Sequence, residues 1–209
     1  VSFCCGDEHG PAFYLPMRHA GGGNYDDPER IIQYLIEQAK HFRGEICGAN
    51  LQYDLDWLAE DGVKFKPSFF RDVQISGPLL DQPTMSLKVD KESGRKFYGE
   101  DFHLMNLDAQ AQRLGIPGKD ETKLKAWAES KGLHPKKDMW KAPAKVISPY
   151  AIQDARLPLA ILDHHGKEIE SQGLGVVYDM ECKLLPVVLK MRRRGVKVDL
   201  SKLDRIDTT

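Results

Sequence analysis

The sequence predicts an α/β domain in which helices flank a mixed β-sheet. Short apolar runs that are typical of strands alternate with segments whose apolar residues recur every three or four positions, as on one face of a helix. The predicted order is β-β-α-β-α-β, and a sheet that contains both a hairpin and helical crossovers is mixed. The predicted strands cover residues 1–5, 12–15, 46–49 and about 69–73.

The first elements follow from local signals. The turn-rich segment "GDEHG" separates the first two strands, which predicts a hairpin. After the flexible Gly21–Gly23 segment, Asp27 is a typical N-cap and Pro28 suits the first helical position. The apolar positions of this first helix are 31, 32, 35, 36 and 39. The strand at 46–49 then leads directly into a helix predicted over 51–61.

The second half is predicted to be mainly helical. Residues from about 74 to 147 contain helices and two loops, the polar "DKESGRKFYGEDFH" and the lysine-rich segment 131–145. A helix is predicted over about 149–171, followed by the glycine-rich joint "SQGLG". The next helix ends in the basic turn "MRRRG" with Gly195 as C-cap, and a short strand is expected after it. This change of character predicts two domains, 1–175 and 176–209.

Composition excludes several classes of protein. The 209 residues are 41% hydrophobic with a formal net charge of −1, which excludes a strongly basic nucleic-acid coat but not a local basic groove. The four cysteines show no metal-ligand spacing, so we predict reduced thiols and no zinc site. No apolar run reaches the roughly 18 residues of a membrane span. We therefore expect no membrane partner and a cytoplasmic location.

Two sets of polar residues predict chemistry when they are taken together. Asp54 lies in the first turn of the helix that follows strand 46–49, and Tyr150 and Asp154 share one face of a later helix. Each set alone is more typical of ordinary structure or surface decoration. Together, two carboxylates beside a tyrosine suit a site for Mg²⁺, which prefers oxygen ligands and keeps waters for reaction. A pair of dications needs about four carboxylates.

The same residues carry a resemblance to a known family. "NLQYDLDWL" is similar to the second motif, Asn-x-x-Tyr/Phe-Asp, of the DEDD proofreading exonucleases, and "YAIQD" resembles their third motif, Tyr-x-x-x-Asp. "RDVQISGPLLD", "HLMNLDAQAQRLG" and "GKDETKLKAWA" resemble the intervening part of family A, bacteriophage-like DNA polymerases. "ECKLLPVVLKMRRRGVKVDLSKL" resembles the opening of the polymerase region that follows. The resemblance runs nearly end to end.

The resemblance implies a ribonuclease H-like fold and a proofreading function in DNA replication. By it, Asp54 and Asp154 would bind two ions of Mg²⁺ or Mn²⁺, and Tyr150 would orient the attacking water. The substrate would be a single-stranded 3′ end of primer–template DNA, and the polymerase domain would belong to the same parent chain in a bacterial or phage-infected cell. The residues expected to contact DNA are Asn50, Tyr53, Leu104, Asn106 and Leu107.

The sequence departs from the family in its first motif. No Asp-x-Glu strand is present, and the opening segment resembles the second and third strands of the family. Asp7 and Glu8 lie in the predicted hairpin turn and are poor substitutes. The family's sheet places the first strand centrally, between this chain's strands 1–5 and 46–49. We therefore expect an N-terminally incomplete domain with a gap in its sheet, unable to assemble a two-metal site alone.

Two other functions remain open at this stage. A catalytically silent nucleic-acid-binding or structural module of the same fold is favoured by the missing Asp-x-Glu and disfavoured by the intact second and third motifs. A free-standing RNA-trimming nuclease is disfavoured by the polymerase-like segment 178–203.

Three further predictions concern charged residues outside these motifs. We expect Asp56 to face solvent and His164–His165 to lie at the surface. The "MRRRG" turn would either contact duplex DNA or interact with the helix dipole.

Overall fold

The computed structural model describes residues 1–80, 84–90, 94–101, 106–199 and 202. The strands are β1 (Ser2–Cys4), β2 (Ala12–Tyr14), β3 (Glu45–Gly48), β4 (Phe69–Asp72), β5 (Thr84–Val89) and β6 (Lys96–Asp101). The α-helices are α1 (Pro28–His41), α2 (Leu51–Glu60), α3 (Val73–Leu80), α4 (Leu107–Leu114), α5 (Thr122–Ser130), α6 (Ala144–Ser171) and α7 (Gly175–Arg194), with a short 3₁₀ helix at Met139–Lys141. The predicted α/β class is confirmed.

The described strands form three two-stranded sheets. β1 and β2 are antiparallel, as predicted for a hairpin, with Phe3 opposite Phe13. β3 and β4 are parallel, and β5 pairs antiparallel with β6. β1 and β3 share no ladder within the described residues, although both pack against α6. The single mixed sheet that we predicted is therefore not formed by the described residues, because the hairpin and the parallel pair are separate, and the gap expected from the resemblance stays a prediction.

Helix α1 forms as the sequence predicts. The side chain of Asp27 accepts a hydrogen bond from the backbone N–H of Arg30 at 3.1 Å, and Pro28 is the first helical residue. This cap satisfies one of the N–H groups that have no partner within the helix. Four of the predicted apolar positions are buried, namely Ile31, Ile32, Leu35 and Ala39.

Helix α6 packs against most of the other elements. It begins at Ala144, ahead of the predicted start near 149, and includes Pro149 and Pro158. Its Leu157 and Ile161 join one core cluster with Val73, Leu107 and Ala111. The helix contacts β1, β2, β3, α3, α4 and α5, so residues on its faces are held relative to most of the fold.

Two predictions about local structure are wrong. The polar segment expected as a loop contributes to the β5–β6 hairpin, whose turn includes Gly94 at a φ of 68°. The polar composition of this segment predicted a loop, but Gly94 allows a tight turn between two strands, because Gly adopts positive φ without steric cost. The strand expected after Gly195 is absent from the described residues 196–199, since an isolated extended segment has no ladder partner.

Helix α7 begins at Gly175, the residue where we predicted a domain boundary, and it packs against β4, α2 and α3. Its buried residues are Tyr178, Cys182 and Leu185. Gly195 caps its end with a φ of 69°, as predicted. No helix in the described part of the chain is long and apolar enough to cross a membrane.

Candidate functional site

The start of α2 is held in place by a buried carboxylate at the end of β4. Asp72 is 2% exposed, and its Oδ2 accepts a hydrogen bond from the backbone N–H of Leu51 at 2.8 Å. Its Oδ1 accepts from the N–H groups of Asn50 at 3.0 Å and Gln74 at 2.8 Å. These bonds satisfy N–H groups at a helix start, where the helix dipole also favours a negative charge. Asn50 itself adopts a left-handed conformation, with a φ of 58°.

Asp54 and Asp154 are brought together from α2 and α6. Burial, together with the smaller effects of the charges of Asp154 and Asp72, raises the pKa of Asp54 to about 6. The side chain of Asp54 still reaches solvent, although protein atoms crowd around it. Two carboxylates that repel one another at an accessible position are an electrostatic environment that favours a bound cation.

Lys119 supplies positive charge beside Asp154 in this structure. Its Nζ lies 2.8 Å from Oδ1 of Asp154 and 5.3 Å from the ring centroid of Tyr150. The side chain is 12% exposed. Burial acts to lower the pKa of Lys119, but the hydrogen bond and charge of Asp154 outweigh it, so the pKa is raised. Lys119 is therefore charged at neutral pH.

Tyr150 lies beside these charges with its hydroxyl protonated. Burial raises the pKa of Tyr150, and the negative charge of Asp154 raises it further, against an opposing effect of Lys119. A neutral hydroxyl next to carboxylates can both donate and accept hydrogen bonds, which is what orienting a water molecule requires.

The donor set is chemically suited to a hard divalent cation but is small. Carboxylate oxygens are ligands that Mg²⁺ and Mn²⁺ accept. Among the described residues, no group of three or more His, Cys, Asp or Glu side chains could hold a metal ion. Asp72 is 2% exposed, and its oxygens accept three backbone hydrogen bonds, so its role in this structure is to cap the start of α2.

The other predicted residues occupy different environments. Tyr53 is 53% exposed on the same helix as Asp54. Asn106 caps α4 by accepting a hydrogen bond from Ala109 at 3.0 Å, and Leu107 is 8% exposed within the core. Leu104 lies outside the described residues. Contact of these residues with DNA stays a prediction.

Some important residues were missed by sequence reasoning. Lys119 and Asp72 have no local signal, because their partners lie 35 and about 22 positions away in the chain. His165 was expected at the surface but is 5% exposed, and its Nδ1 lies 2.8 Å from Oγ of Ser76. That prediction failed because the face of α6 near its end is covered by α3.

Asp56 does not face open solvent as predicted. Its Oδ1 lies 2.8 Å from Nε of Arg193, and its Oδ2 lies 3.4 Å from Nε of Arg192. The packing of α7 against α2, which no local pattern indicates, brings this carboxylate against the basic turn. The "MRRRG" turn is thus tied to the helix that carries Asp54.

Several known proteins with similar sequences are DNA polymerases of bacteriophages. A DNA-directed DNA polymerase of Pseudomonas phage M6 is 45% identical over 201 residues, which cover 96% of this chain and 27% of that protein. The chain is similar to bacteriophage DNA polymerases. The DNA polymerase DpoZ of Vibrio phage phiVC8 is 23% identical over 175 residues, or 84% of this chain and 27% of that protein. No protein-family model matches the chain.

A second DpoZ polymerase, from Acinetobacter phage SH-Ab 15497, is 26% identical over 198 residues, covering 94% of this chain and 29% of that protein. The chain therefore spans between a quarter and a third of the length of these relatives. The similarity extends over nearly the whole of the chain, including both α2 and α6.

Proposed function

We propose that this chain is the 3′–5′ exonuclease part of a phage DNA polymerase, which removes mispaired 3′-terminal nucleotides as deoxynucleoside monophosphates during replication in an infected bacterial cell. The observation that carries the proposal is the meeting of Asp54 and Asp154, 100 positions apart, with Tyr150 beside them. The similarity to phage DNA polymerases supplies the context.

In this proposal each residue of the site has a distinct role. Asp54 and Asp154 hold Mg²⁺ or Mn²⁺, whose chemistry when bound is to activate water and stabilise the leaving oxygen of a phosphodiester. Tyr150, protonated at neutral pH, positions the water by hydrogen bonding. Asn50 and Tyr53, both exposed at the start of α2, contact the terminal nucleotide. Lys119 balances the charge of Asp154 before the cation binds.

The interrupted sheet offers a place for the carboxylates that the site lacks. Backbone bonds join Val1 to Leu15 and Cys5 to Pro11, so alternate residues of β1 pair with β2. The N–H groups of Ser2 and Cys4 therefore point to the edge of β1 that lies opposite β2. We propose that a strand from outside these 209 residues pairs at this edge and contributes acidic ligands, in keeping with a ribonuclease H-like sheet.

A catalytically silent nucleic-acid-binding module is the second candidate. It is favoured by the ion pair between Lys119 and Asp154, which satisfies one carboxylate without a metal, and by the lack of a three-ligand cluster among the described residues. This module would bind single-stranded DNA but would not hydrolyse it.

The deciding experiment measures release of mononucleotides from 3′-labelled single-stranded DNA with Mg²⁺ or Mn²⁺. It compares the chain with a version that also carries whatever the reading frame encodes before Val1. We expect the longer version to release mononucleotides, Asp154→Ala to abolish the release and Tyr150→Phe to reduce it at least tenfold. An exposed carboxylate on α6, Asp163, provides the matched control as Asp163→Asn.

The outcomes separate the two candidates. Release that is the same in wild type and Asp154→Ala would overturn the proposed site. Binding of single-stranded DNA without any release, in both versions, would support the silent module instead. Efficient hydrolysis by the 209-residue chain alone would refute the need for a further strand.

A further inference from the structure

Two aromatic side chains are exposed together on α2 beside the proposed site. Tyr53 is 53% exposed and Trp57 is 63% exposed, one turn further along the helix. Their ring centroids are 6.3 Å apart in an edge-to-face arrangement. A flat exposed ring is a surface on which a nucleic-acid base can stack.

A basic turn is fixed next to these rings. Arg193 donates from Nε to Asp56 at 2.8 Å and from Nη2 to the carbonyl oxygen of Leu55 at 3.1 Å. Asp56 directly precedes Trp57 in the chain, so the end of α7 is anchored within one turn of the exposed indole. The anchor uses one carboxylate and the backbone carbonyls of Leu55 and Asp56, and it therefore leaves most of the basic charge uncompensated.

The local charge is strongly positive although the chain as a whole is not. Residues 190–197 hold five cationic side chains and no acidic one, all of them exposed: Lys190, Arg192, Arg193, Arg194 and Lys197. Asp56 pairs with two of the arginines. Cations next to stacking rings match a ligand that has phosphates along one side and unpaired bases along the other.

We propose that Trp57 and the basic turn Arg192–Lys197 form a track for single-stranded DNA that continues from Tyr53 away from the acidic site. Trp57 stacks with a base upstream of the 3′-terminal nucleotide, and the arginines and Lys197 contact the phosphates there. Asp56 is a positioning residue that holds the turn beside the ring. The direction of the strand rests on the proposed exonuclease function, whereas the binding itself does not.

The test measures binding without hydrolysis. Wild-type chain in EDTA is titrated with a fluorescently labelled oligothymidylate, and the anisotropy gives Kd at several salt concentrations. Trp57→Ala should raise Kd by about tenfold, the loss of one base–aromatic stack, while Trp57→Phe retains most of the affinity. The pair Arg194→Gln and Lys197→Gln should lower the slope of log Kd against log salt by about 1.4, or about 0.7 for each cation removed.

Matched controls remove comparable groups elsewhere. Tyr34→Ala deletes another exposed ring, 49% exposed on α1, and Lys167→Gln removes an exposed cation on α6; neither should change Kd. Circular dichroism and thermal melts of each variant establish that it is folded. A Trp57→Ala effect below twofold, or an equal effect of Tyr34→Ala, would overturn the track.

Intrinsic fluorescence gives a second readout. Binding should quench tryptophan emission in the wild type, and Trp57→Phe should remove that quenching. Loss of quenching in Trp140→Phe instead would move the binding surface to the lysine-rich segment and overturn the proposal. If the EDTA binding results hold while metal-dependent hydrolysis is never observed, the track stands and the exonuclease function fails; hydrolysis with binding indifferent to Trp57 gives the reverse conclusion.

Discussion

At the scale of single residues, the carboxyl of Asp54 opposes folding once it is ionised. Its pKa rises from 3.8 in the unfolded chain to about 6, chiefly through burial. The folded state therefore holds this proton more tightly than the unfolded state does. The contribution of this carboxyl to stability is fully present below pH 3.8 and is lost as pH rises through 6. The full shift would correspond to roughly 3 kcal/mol, but the accessible side chain is screened by solvent, so we expect about 1 kcal/mol.

This predicts that Asp54→Asn stabilises the metal-free protein. In EDTA, the variant should melt about 3 °C above wild type at pH 7.5, and the difference should vanish near pH 3.8. Thermal melts over this pH range measure it. The exposed Asp163→Asn serves as a control that should show no such pH-dependent gain; a gain in both would remove Asp54 as the cause.

Lys119 and a divalent cation should compete for the same negative charge. Lys119→Met removes the partner of Asp154, so the variant should be less stable in EDTA and should gain more from Mg²⁺ than wild type does. We expect an additional rise of about 2 °C in Tm on adding Mg²⁺. Lys125→Met, which removes an exposed lysine paired with Glu121, is the control. Equal Mg²⁺ effects in all three proteins would contradict the competition.

Residues differ in how far sequence can predict them. Asp54, Tyr150 and Asp154 were selected because their positions in local patterns could be read directly. Lys119 was not, because its role depends on a contact between a loop and α6. A lone lysine in a polar loop carries no pattern that distinguishes it from its solvated neighbours.

At the scale of secondary-structure elements, α2 depends on a residue outside itself. Asp72→Asn would place an amide group where a carboxylate oxygen now accepts hydrogen bonds from N–H groups of Asn50 or Leu51. Donor then faces donor in a buried position, which costs about 2 kcal/mol. Urea unfolding should show this loss, and hydrolysis or DNA binding should weaken with it because α2 carries Asp54 and Tyr53.

The control for Asp72 lies at the other end of the same helix. Asp61 forms an exposed ion pair with Arg18 at 2.8 Å, and surface pairs contribute about 1 kcal/mol or less. Asp61→Asn should therefore be nearly neutral. A comparable loss of stability in both variants would show that the capping role of Asp72 is not special.

The contact between α3 and α6 should be sensitive to acid. Burial, with smaller effects of Arg113 and His164, lowers the pKa of His165 from 6.5 to about 4. His165 is neutral in the folded state, so its contribution to stability is present above pH 6.5 and is lost as pH falls through 4. His165→Gln should destabilise at pH 7 by about 1 kcal/mol, through the weakened bond to Ser76.

The effect should reverse in acid, where the variant should be more stable than wild type, because the variant has no imidazole whose protonation opposes folding. Denaturant unfolding at pH 7 and pH 4.5 measures the change, which we expect to be about 2 kcal/mol. His164→Gln removes the exposed neighbouring imidazole and should leave stability nearly unchanged. If the difference between wild type and His165→Gln is the same at both pH values, His165 is not the titrating group.

Elements with strong local signals were predicted well, and those defined by partners were not. α1 was predicted to the residue at its start because Asp27 and Pro28 are adjacent in sequence. The β5–β6 hairpin was missed because the polar, glycine-containing composition of Lys96–Asp101 and its flanks indicated a loop, although Thr84–Val89 alternates polar and apolar residues. The strand expected after Gly195 failed for the opposite reason, since a suitable sequence lacks a partner in the described part of the chain.

At the scale of the whole molecule, α6 packs against two β-sheets that are not paired with each other in the described part of the chain. It packs against both β1 and β3, although these strands share no ladder within the described residues. Unpaired strand edges that flank one helix are positioned to accept a further strand, which would make the small sheets continuous. Strand signals predicted one mixed sheet and could not reveal that its strands are divided among separate pairs, because pairing depends on contacts between distant parts of the chain.

Proline substitutions at neighbouring positions of β1 test whether a strand fills the gap. Cys4→Pro removes an N–H that points away from β2, and Phe3→Pro removes one that bonds within the hairpin. In the 209-residue chain, Phe3→Pro should destabilise by about 2 kcal/mol or more, while Cys4→Pro should cost much less. In the version extended before Val1, Cys4→Pro should become as costly as Phe3→Pro and should reduce mononucleotide release. Denaturant unfolding of both variants in both versions gives the comparison; a Cys4→Pro effect that does not change on extension means that no strand pairs at this edge, and the missing carboxylates must then come from elsewhere.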